Sequence, residues 1–335
     1  MKKVITFWSL SLALGLSLLS CNNNDDIDDP NGNVGPGTLQ AEISADARFS
    51  ILVDALGQTG LDTTLDAPGT YTLFAPTDDA FQQLFNDFGV ADLQQAINQL
   101  GSEAIRNILL YHVLASEQLS GELSTQFYKT LALNTNGNAL DLYLDPAANN
   151  GVLINDVALV EDANIQASNG VAHAVSQVLL PQNVHQLVKH DARLQSFESA
   201  IALDQSNLDL ALGADSVRYT LFAPTNTAFD TLVARTANVN NLADLVVALG
   251  PAQLTRTLRY HVLPSELQAV DLSIGSLNTL AASGGTALQL TVNITGNRVT
   301  LSDRSSATAD AEVVATDITG TNGVIHRIDR VLLTQ

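Results

Sequence analysis

The sequence has little of several residue types, and each shortage excludes a class of protein or site. Cysteine occurs once in 335 residues, at Cys21, so the chain forms no internal disulfide and no site with several cysteine ligands. Tryptophan also occurs once, at Trp8, so indole rings that stack on ligand rings are scarce. Lysine and arginine total 15 against 35 acidic residues, a net charge of −20. A surface this negative repels phosphate, which argues against nucleic acid as a partner and against electrostatic docking on anionic membranes.

The amino-terminal residues have the layout of a signal peptide. Lys2 and Lys3 precede an apolar run that is short for a membrane span and is followed by an acidic tract. The run ends in LLSC, which resembles the lipobox at which bacterial lipoprotein precursors are lipidated on the cysteine and cleaved before it. We therefore expect residues 1–20 to be a lipoprotein signal peptide and Cys21 to be lipidated. Several acyl chains hold a protein stably on a membrane, so the lipid anchor is the only membrane attachment that we expect.

The segment that follows the cysteine is expected to be an acidic tether over residues 21–38. It has almost no apolar side chains and cannot bury enough surface to fold. Its aspartates favour a solvated tether over a calcium loop, because Ile27 stands where an EF-hand pattern needs an acidic residue. An acidic patch directly after the cysteine resembles surface-export signals of some Gram-negative lipoproteins. We therefore expect anchoring in the outer membrane of the cell envelope, with the folded part on the cell surface.

Comparison of the sequence with itself shows that one unit occurs twice. Three motifs recur in the same order: YTLFAPT at 71–77 and 219–225, YHVL at 111–114 and 260–263, and NGV at 169–171 and 322–324. Ordered repeats of this kind indicate a duplicated domain with loop insertions. Each unit is long enough to bury its own core, and we expect the boundary near Pro181. We therefore predict a first repeat at residues 39–181 and a second repeat at 182–335.

Hydrophobic spacing predicts helices early and strands late in each repeat. Apolar side chains recur at helical spacing around Leu52 and Ile97, whereas residues 139–144 and 171–180 are rich in strand-forming residues. Thr77, repeated as Thr225, ends a β-rich run and can cap the helix that follows it. The predicted class is α+β, with a sheet packed against a helical layer.

The three motifs resemble the conserved segments of the fasciclin (FAS1) domain family, over roughly residues 40–335. The resemblance implies two tandem domains, each a β-sandwich-like wedge packed with a helical layer. It also implies a role in adhesion to extracellular proteins or glycans. In the family the YH region is tied to receptor adhesion, so the resemblance makes Tyr111, His112, Tyr260 and His261 candidates for a binding surface.

The motif histidines favour a structural interpretation over a metal site. His112 and His261 end apolar helical stripes, whereas His173 and His326 lie in apolar strand runs. No HExxH pattern occurs, and no acidic neighbour recurs at ligand spacing in both repeats. Core histidines bonded to backbone carbonyls are the preferred interpretation. His173 and His326, like the two capping threonines, are therefore interpreted as structural residues, and we expect no metal and no other cofactor.

The sequence offers no recognisable catalytic apparatus. Asp78 and Asp79 could form a carboxylate pair, but Asn226 and Thr227 replace them in the second repeat, and a place in the first turn of a helix explains both versions. Neither a GxSxG elbow nor a phosphate-binding loop is present. We therefore expect no enzymatic activity. Cleavage of a polysaccharide by two distant carboxylates, which need no fixed spacing, is the least favoured alternative.

Taken together, these features predict a membrane-anchored adhesion protein that binds an extracellular protein or polysaccharide through fasciclin domains. The sequence leaves the oligomeric state open. An alternative from another class is a carrier of a small apolar ligand, because some fasciclin domains are reported to hold carotenoid-like pigments.

Overall fold

The structure is a computed structural model that describes residues 36–147, 151–204, 206–305 and 309–334. Residues 36–335 form one compact unit. The predicted signal peptide, Cys21 and nearly all of the predicted tether lie outside the described residues. Helices and strands are both abundant, so the α+β class predicted from the sequence is confirmed.

The first repeat places its helices early and most of its strands late. Its elements in chain order are α1 (Leu39–Ala45), α2 (Ser50–Thr59), α3 (Asp62–Asp66), β1 (Tyr71–Pro76), α4 (Asp78–Phe88), α5 (Leu93–Leu100), α6 (Ser102–Tyr111), β2 (Val113–Leu114), β3 (Gln126–Leu133), β4 (Ala139–Asp145), β5 (Leu153–Ile154), β6 (Ala158–Ala167) and β7 (Gly170–Val175). Strands β1 to β7 close into a barrel, in which β1 pairs in parallel with β7 and antiparallel with β2.

Strand β1 separates two hydrophobic cores because successive side chains of a strand point to opposite faces. Leu73 and Ala75 point to the core shared with the helices, which contains Phe49 and Phe81. Phe74 points into the barrel, where it packs among leucines of the sheet. The barrel is therefore filled by side chains and does not enclose a channel.

The second repeat has the same order of elements with two differences. Its elements in chain order are α7 (Val184–His190), α8 (Gln195–Leu203), α9 (Leu208–Gly213), β8 (Tyr219–Pro224), α10 (Asn226–Arg235), α11 (Leu242–Tyr260), β9 (Val262–Leu263), β10 (Gly275–Ser283), β11 (Thr286–Thr295), β12 (Arg298–Ser302), β13 (Ala311–Gly320) and β14 (Gly323–Ile328). Helix α11 bends at Gly250, whose φ is +69°, and this bend corresponds to the junction of α5 and α6 at Gly101. The strands form a seven-stranded sheet in the order β10-β11-β12-β13-β14-β8-β9.

The two repeats contact each other through a polar network and an apolar contact. The carboxylate of Asp141, which is 4% exposed, accepts hydrogen bonds from Lys129 Nζ at 2.6 Å and from the backbone N–H of Thr319 at 2.6 Å. Phe127 packs from the first repeat against the hydrophobic core of the second. A buried carboxylate held by groups from both repeats fixes one geometry of contact, because any shift would leave its charge unpaired.

Candidate functional site

The Tyr111–His112 pair lies in the interior at the end of α6, where the chain turns into β2. Tyr111 is 0% exposed, and its hydroxyl donates to the backbone carbonyl of Asp141 at 2.7 Å. The Nδ1 of His112 contacts the carbonyl of Ile108 at 2.8 Å, and its Nε2 accepts from the backbone N–H of Leu179 at 2.8 Å. These two partners place the ring proton on Nδ1 and leave the imidazole neutral. Burial lowers the pKa of His112 to about 4.

The second repeat builds the same arrangement with Tyr260 and His261. The Tyr260 hydroxyl donates to the carbonyl of Gln289 at 2.6 Å, and burial raises its pKa to about 12. His261 Nδ1 contacts the carbonyl of Thr257 at 2.8 Å, and its Nε2 accepts from the N–H of Leu332 at 2.9 Å. Burial lowers the pKa of His261 to about 4.

The structure places the two Tyr-His pairs in the interior, whereas the family resemblance suggests that they form a binding surface. Tyr111, His112 and Tyr260 are 0% exposed, and His261 is 1% exposed. A partner on the outside of the protein cannot touch these side chains in this fold. The physical reason is that the apolar stripe of the preceding helix, which makes the motif visible in the sequence, also carries the motif into the core.

His173 and His326 are buried in the last strand of each repeat. His173 stacks on Phe74 with ring centroids 5.7 Å apart, and its Nε2 contacts the carbonyl of Gln118 at 2.9 Å. His326 lies beside Phe222 at 5.6 Å, and its Nε2 contacts the carbonyl of Leu267 at 2.9 Å. Burial lowers the pKa of each ring, so both stay neutral at physiological pH. Each histidine thereby ties its strand to the loop that follows β2 or β9.

The capping threonines have the same role in both repeats. The Thr77 hydroxyl accepts from the backbone N–H of Ala80 at 3.3 Å, which satisfies a free amide in the first turn of α4. The Thr225 hydroxyl accepts from Ala228 at 3.3 Å in α10.

Asp78 uses its carboxylate to join two helices. One oxygen accepts from the hydroxyl of Ser50 at 2.6 Å and the other from the backbone N–H of Ile51 at 2.8 Å, at the start of α2. Asn226 makes the equivalent contact, because its Oδ1 accepts from the N–H of Ser196 at 2.9 Å. An amide and a carboxylate share this acceptor role, which explains why the second repeat can lack the acid.

Asn169 and Asn322 begin the repeated NGV motif, yet the sequence alone did not point to a role for either residue. The side chain of Asn169 accepts from Leu39 N at 2.8 Å and donates to the carbonyls of Leu65 and Ala67 at 2.8 Å each. Asn322 makes the corresponding three bonds in the second repeat. Each asparagine therefore clamps the first helix to the loop before the first strand. The repetition of the NGV motif is the sequence signal that could have indicated this structural role.

Acidic and histidine side chains do not gather into a metal site in the part of the chain that the structure describes. Across residues 36–147, 151–204, 206–305 and 309–334, no three His, Cys, Asp or Glu side chains are grouped as ligands of one ion. Within the same ranges, no helix has the length and apolar character of a membrane span. Cys21, the predicted lipidation site, lies outside the described residues.

Comparison with known proteins finds a family model described as Fasciclin domain, which matches residues 47–181 and 193–334. Among curated proteins, Transforming growth factor-beta-induced protein ig-h3 of Sus scrofa is 29% identical over 301 residues, covering 85% of this chain and 40% of that protein. Periostin of Homo sapiens is 28% identical over 257 residues, covering 76% of this chain and 27% of that protein. The chain thus spans well under half the length of these relatives.

A solved structure of a FAS1 domain pair from the insect cell adhesion molecule fasciclin I is also similar to this chain. The similarity covers 88% of this chain and 96% of that chain, with a TM-score of 0.48 and 19% sequence identity. The match to the family model covers most of this chain in two segments.

Proposed function

Because the chain belongs to the fasciclin domain family, we propose that it is an adhesion protein that binds an extracellular protein or polysaccharide. The family resemblance implies adhesion, and the chain carries two copies of the domain that this resemblance concerns. We propose further that Cys21 holds the protein on the outer membrane, with both domains on the cell surface.

The observation that carries the binding proposal is the inward position of the residues that both repeats share. The Tyr-His pairs, His173, His326 and the two NGV asparagines are all buried and hydrogen-bonded within their own repeat. Side chains used in this way build the scaffold. The surface available to a partner is therefore made of other residues of each repeat.

A binding role is also favoured over a catalytic one. Asp78, one member of the Asp78–Asp79 pair, has both carboxylate oxygens bonded to the start of α2. A general acid or base needs its carboxylate within reach of a substrate proton. We therefore propose that the protein acts without catalysis.

The carrier alternative has weaker support. One gap between α10 and α11 is lined mainly by leucine, valine and phenylalanine side chains, as a site for an apolar ligand would be. Its cavity volume is about 10 Å³, which is the space of one water molecule and not of a pigment or lipid chain.

The binding proposal is tested by presenting the purified full-length protein, in detergent, to an array of extracellular proteins and polysaccharides. Retention on at least one of them, with a Kd in the micromolar range or tighter, is the expected result. Retention on none of them would contradict an adhesive role.

The anchor is tested by changing Cys21→Ala and separating membranes from soluble fractions. We expect the variant to leave the membrane fraction, because no other lipid attachment is proposed. A variant that stays with the membranes would contradict the anchor.

A further inference from the structure

The second repeat has an open groove of about 480 Å³ between helix α11, strand β10 and the loop after α8. Its lining includes Ser206, Thr255, Arg256, Arg259, Leu280 and Ala282. The groove therefore combines two guanidinium groups and two hydroxyls with a short apolar floor. Its volume is within the range of small-ligand sites in proteins.

The two arginines of the groove have few partners of their own. Arg256 makes no hydrogen bond or ion pair with any described residue. Arg259 reaches Ser206 only with Nη2, at 3.4 Å to its carbonyl and its hydroxyl, and its Nε is buried without a partner among the described residues. The guanidinium N–H groups that face the groove can therefore donate to a bound anion.

In the first repeat, other side chains stand at the positions equivalent to the two arginines. Asn107, the counterpart of Arg256, accepts from the backbone N–H of Leu133 at 3.0 Å and donates to its carbonyl at 3.0 Å. The counterpart of Arg259 is Leu110, which is packed against the hydrophobic cores of the first repeat. In the first repeat the helix is thus bonded to the edge of β3, whereas in the second the corresponding space is open and lined by cations.

The local charge of the groove is opposite to that of the whole protein. The chain has a net charge of −20, yet two arginines lie one helical turn apart on the same face of α11. Asp204 lies beside the groove, and its two oxygens accept from the hydroxyls of Thr255 and Ser206. Two guanidinium charges thus face one carboxylate, and both guanidinium groups stay protonated at physiological pH.

We propose that this groove binds the anionic group of an acidic polysaccharide, a uronate carboxylate or a sulfate, between Arg256 and Arg259. The proposal rests on the adhesive function proposed above and names the chemistry of one ligand. Guanidinium groups bind carboxylate and sulfate oxygens with paired hydrogen bonds. The hydroxyls of Ser206 and Thr255 donate to Asp204 and can still accept from the hydroxyls of a sugar, and Leu280 offers an apolar surface for the face of its ring.

A polysaccharide fits the lining better than an acidic peptide does. Protein partners are usually held by aromatic or large apolar anchors that fill pockets. Among the described residues that line the groove none is aromatic, and the apolar ones are Leu280, Pro251 and three alanines. An acidic peptide is therefore one outcome of the test and not the proposal.

The test measures the Kd of four probes: an oligogalacturonate, a heparin-derived oligosaccharide, a neutral malto-oligosaccharide of the same length, and a poly-glutamate peptide. Three proteins are compared: the wild type, Arg256→Gln with Arg259→Gln, and a control with Arg235→Gln and Arg304→Gln. The control also removes two positive charges, but from exposed positions outside the groove. A fourth protein, Ala282→Glu, adds a carboxylate at the exposed rim of the groove and leaves both arginines in place.

We expect the oligogalacturonate or the heparin-derived probe to bind the wild type, and whichever binds identifies the anion. The groove double variant and Ala282→Glu should each raise that Kd about tenfold or more, while the control changes it less than about twofold. Equal losses in groove variant and control would overturn the proposal, because net charge would then explain the binding. Equal affinity for the neutral probe, or binding of poly-glutamate alone, would also overturn it.

Failure of this inference can be told apart from failure of the adhesive function. If no oligosaccharide binds but the groove double variant is retained on the array as the wild type is, the groove proposal is wrong and adhesion stands. If the wild type is retained on nothing, adhesion itself is contradicted.

Discussion

At the scale of single residues, the two repeats direct the same buried polar side chains to the same kinds of backbone group. His112 and His261 each donate to a carbonyl one helical turn earlier and accept from an amide near the end of the repeat. Only the neutral imidazole can make both hydrogen bonds, because one ring nitrogen must donate and the other must accept. A proton added to either ring would therefore break a bond and charge a buried site.

This requirement predicts how stability depends on pH. Burial lowers the pKa of His112 and His261 to about 4, whereas in the unfolded chain each titrates near its ordinary value of about 6.5. Between these values the unfolded state binds more protons, so the free energy of unfolding falls as the pH falls. We expect a loss of about 2 kcal/mol per histidine between pH 7.5 and pH 5.

Urea unfolding at both pH values measures this loss in the wild type and in a variant with His112→Gln and His261→Gln. Glutamine does not titrate, so the variant should be less stable at pH 7.5 and should lose less stability on acidification. Equal pH dependence in the two proteins would contradict the assignment.

Thr257 supplies a second prediction, because its hydroxyl is buried with no partner among the described residues. The equivalent position in the first repeat is Ile108, whose side chain has no hydroxyl to satisfy. Thr257→Val should raise the free energy of unfolding by about 1–2 kcal/mol, since it removes an unsatisfied polar group at nearly constant volume.

The matched control for that change is Thr279→Val. The Thr279 hydroxyl donates to the carbonyl of Leu288 at 2.8 Å and accepts from Ala281 N at 3.2 Å. Its removal should lower stability by about 1 kcal/mol in the same urea unfolding experiment. If both changes destabilise the protein alike, the Thr257 hydroxyl has a partner after all.

At the scale of elements, the parallel pairing of the first and last strands holds each repeat together. β1 pairs with β7, and β8 pairs with β14, each over six residue pairs. The pairing begins at Gly170 in the first repeat and at Gly323 in the second, whose φ values are +148° and +155°. A Cβ on either glycine would lie 2.1 Å from the carbonyl oxygen of Tyr71 or Tyr219.

We predict that Gly170→Ala lowers the free energy of unfolding by about 3 kcal/mol or more, because both backbone conformation and space exclude a side chain there. The control is Gly57→Ala in the interior of α2, where an added Cβ meets nothing within 4 Å. That change should raise stability by about 0.5–1 kcal/mol, since alanine favours helix over glycine. Thermal unfolding measures both, and a small effect of Gly170→Ala would contradict the strand pairing described here.

Elements that depend on local spacing could be predicted from the sequence, whereas long-range contacts could not. Thr77 as a helix cap and the α+β class follow from local patterns, and the structure confirms both. The three bonds of Asn169 reach residues more than 100 positions away, which no periodicity encodes. The groove at Arg256 likewise depends on which strand the helix meets, which local spacing does not determine.

At the scale of the whole molecule, the two repeats are joined around the buried carboxylate of Asp141. Lys129 Nζ, which bonds Asp141, also reaches the carbonyl of Asp317 at 2.5 Å and the hydroxyl of Thr319 at 3.1 Å. Glu266 of the second repeat accepts hydrogen bonds from the side chains of Asn134, Asn136 and Asn138 of the first. The contact therefore depends on polar groups that must stay paired, and we expect the repeats to unfold together.

Lys129→Ala tests this coupling. It leaves the Asp141 carboxylate without its cation, and we expect a loss of about 1–3 kcal/mol, reduced from the cost of a fully buried pair because Lys129 is half exposed. Lys189→Ala, at an exposed lysine in the last turn of α7, should cost less than about 0.5 kcal/mol. In calorimetry, the wild type should unfold in one transition and the Lys129 variant in a broader or split one. Equal effects of the two changes would contradict the coupling.

The shared Tyr-His motif builds the scaffold of each repeat, and binding belongs to the exposed faces. The most direct measurement combines urea unfolding with array binding for a variant with Tyr111→Phe and Tyr260→Phe. Tyr111→Phe removes the bond to the Asp141 carbonyl and the bond from Asn155 Nδ2, whereas Tyr260→Phe removes the bond to the Gln289 carbonyl. We therefore expect unfolding to become easier by about 1–2 kcal/mol at position 111 and about 1 kcal/mol at position 260. At equal amounts of folded protein, the variant should be retained on the same array members as the wild type. A variant that keeps its stability and loses its binding would contradict the claim.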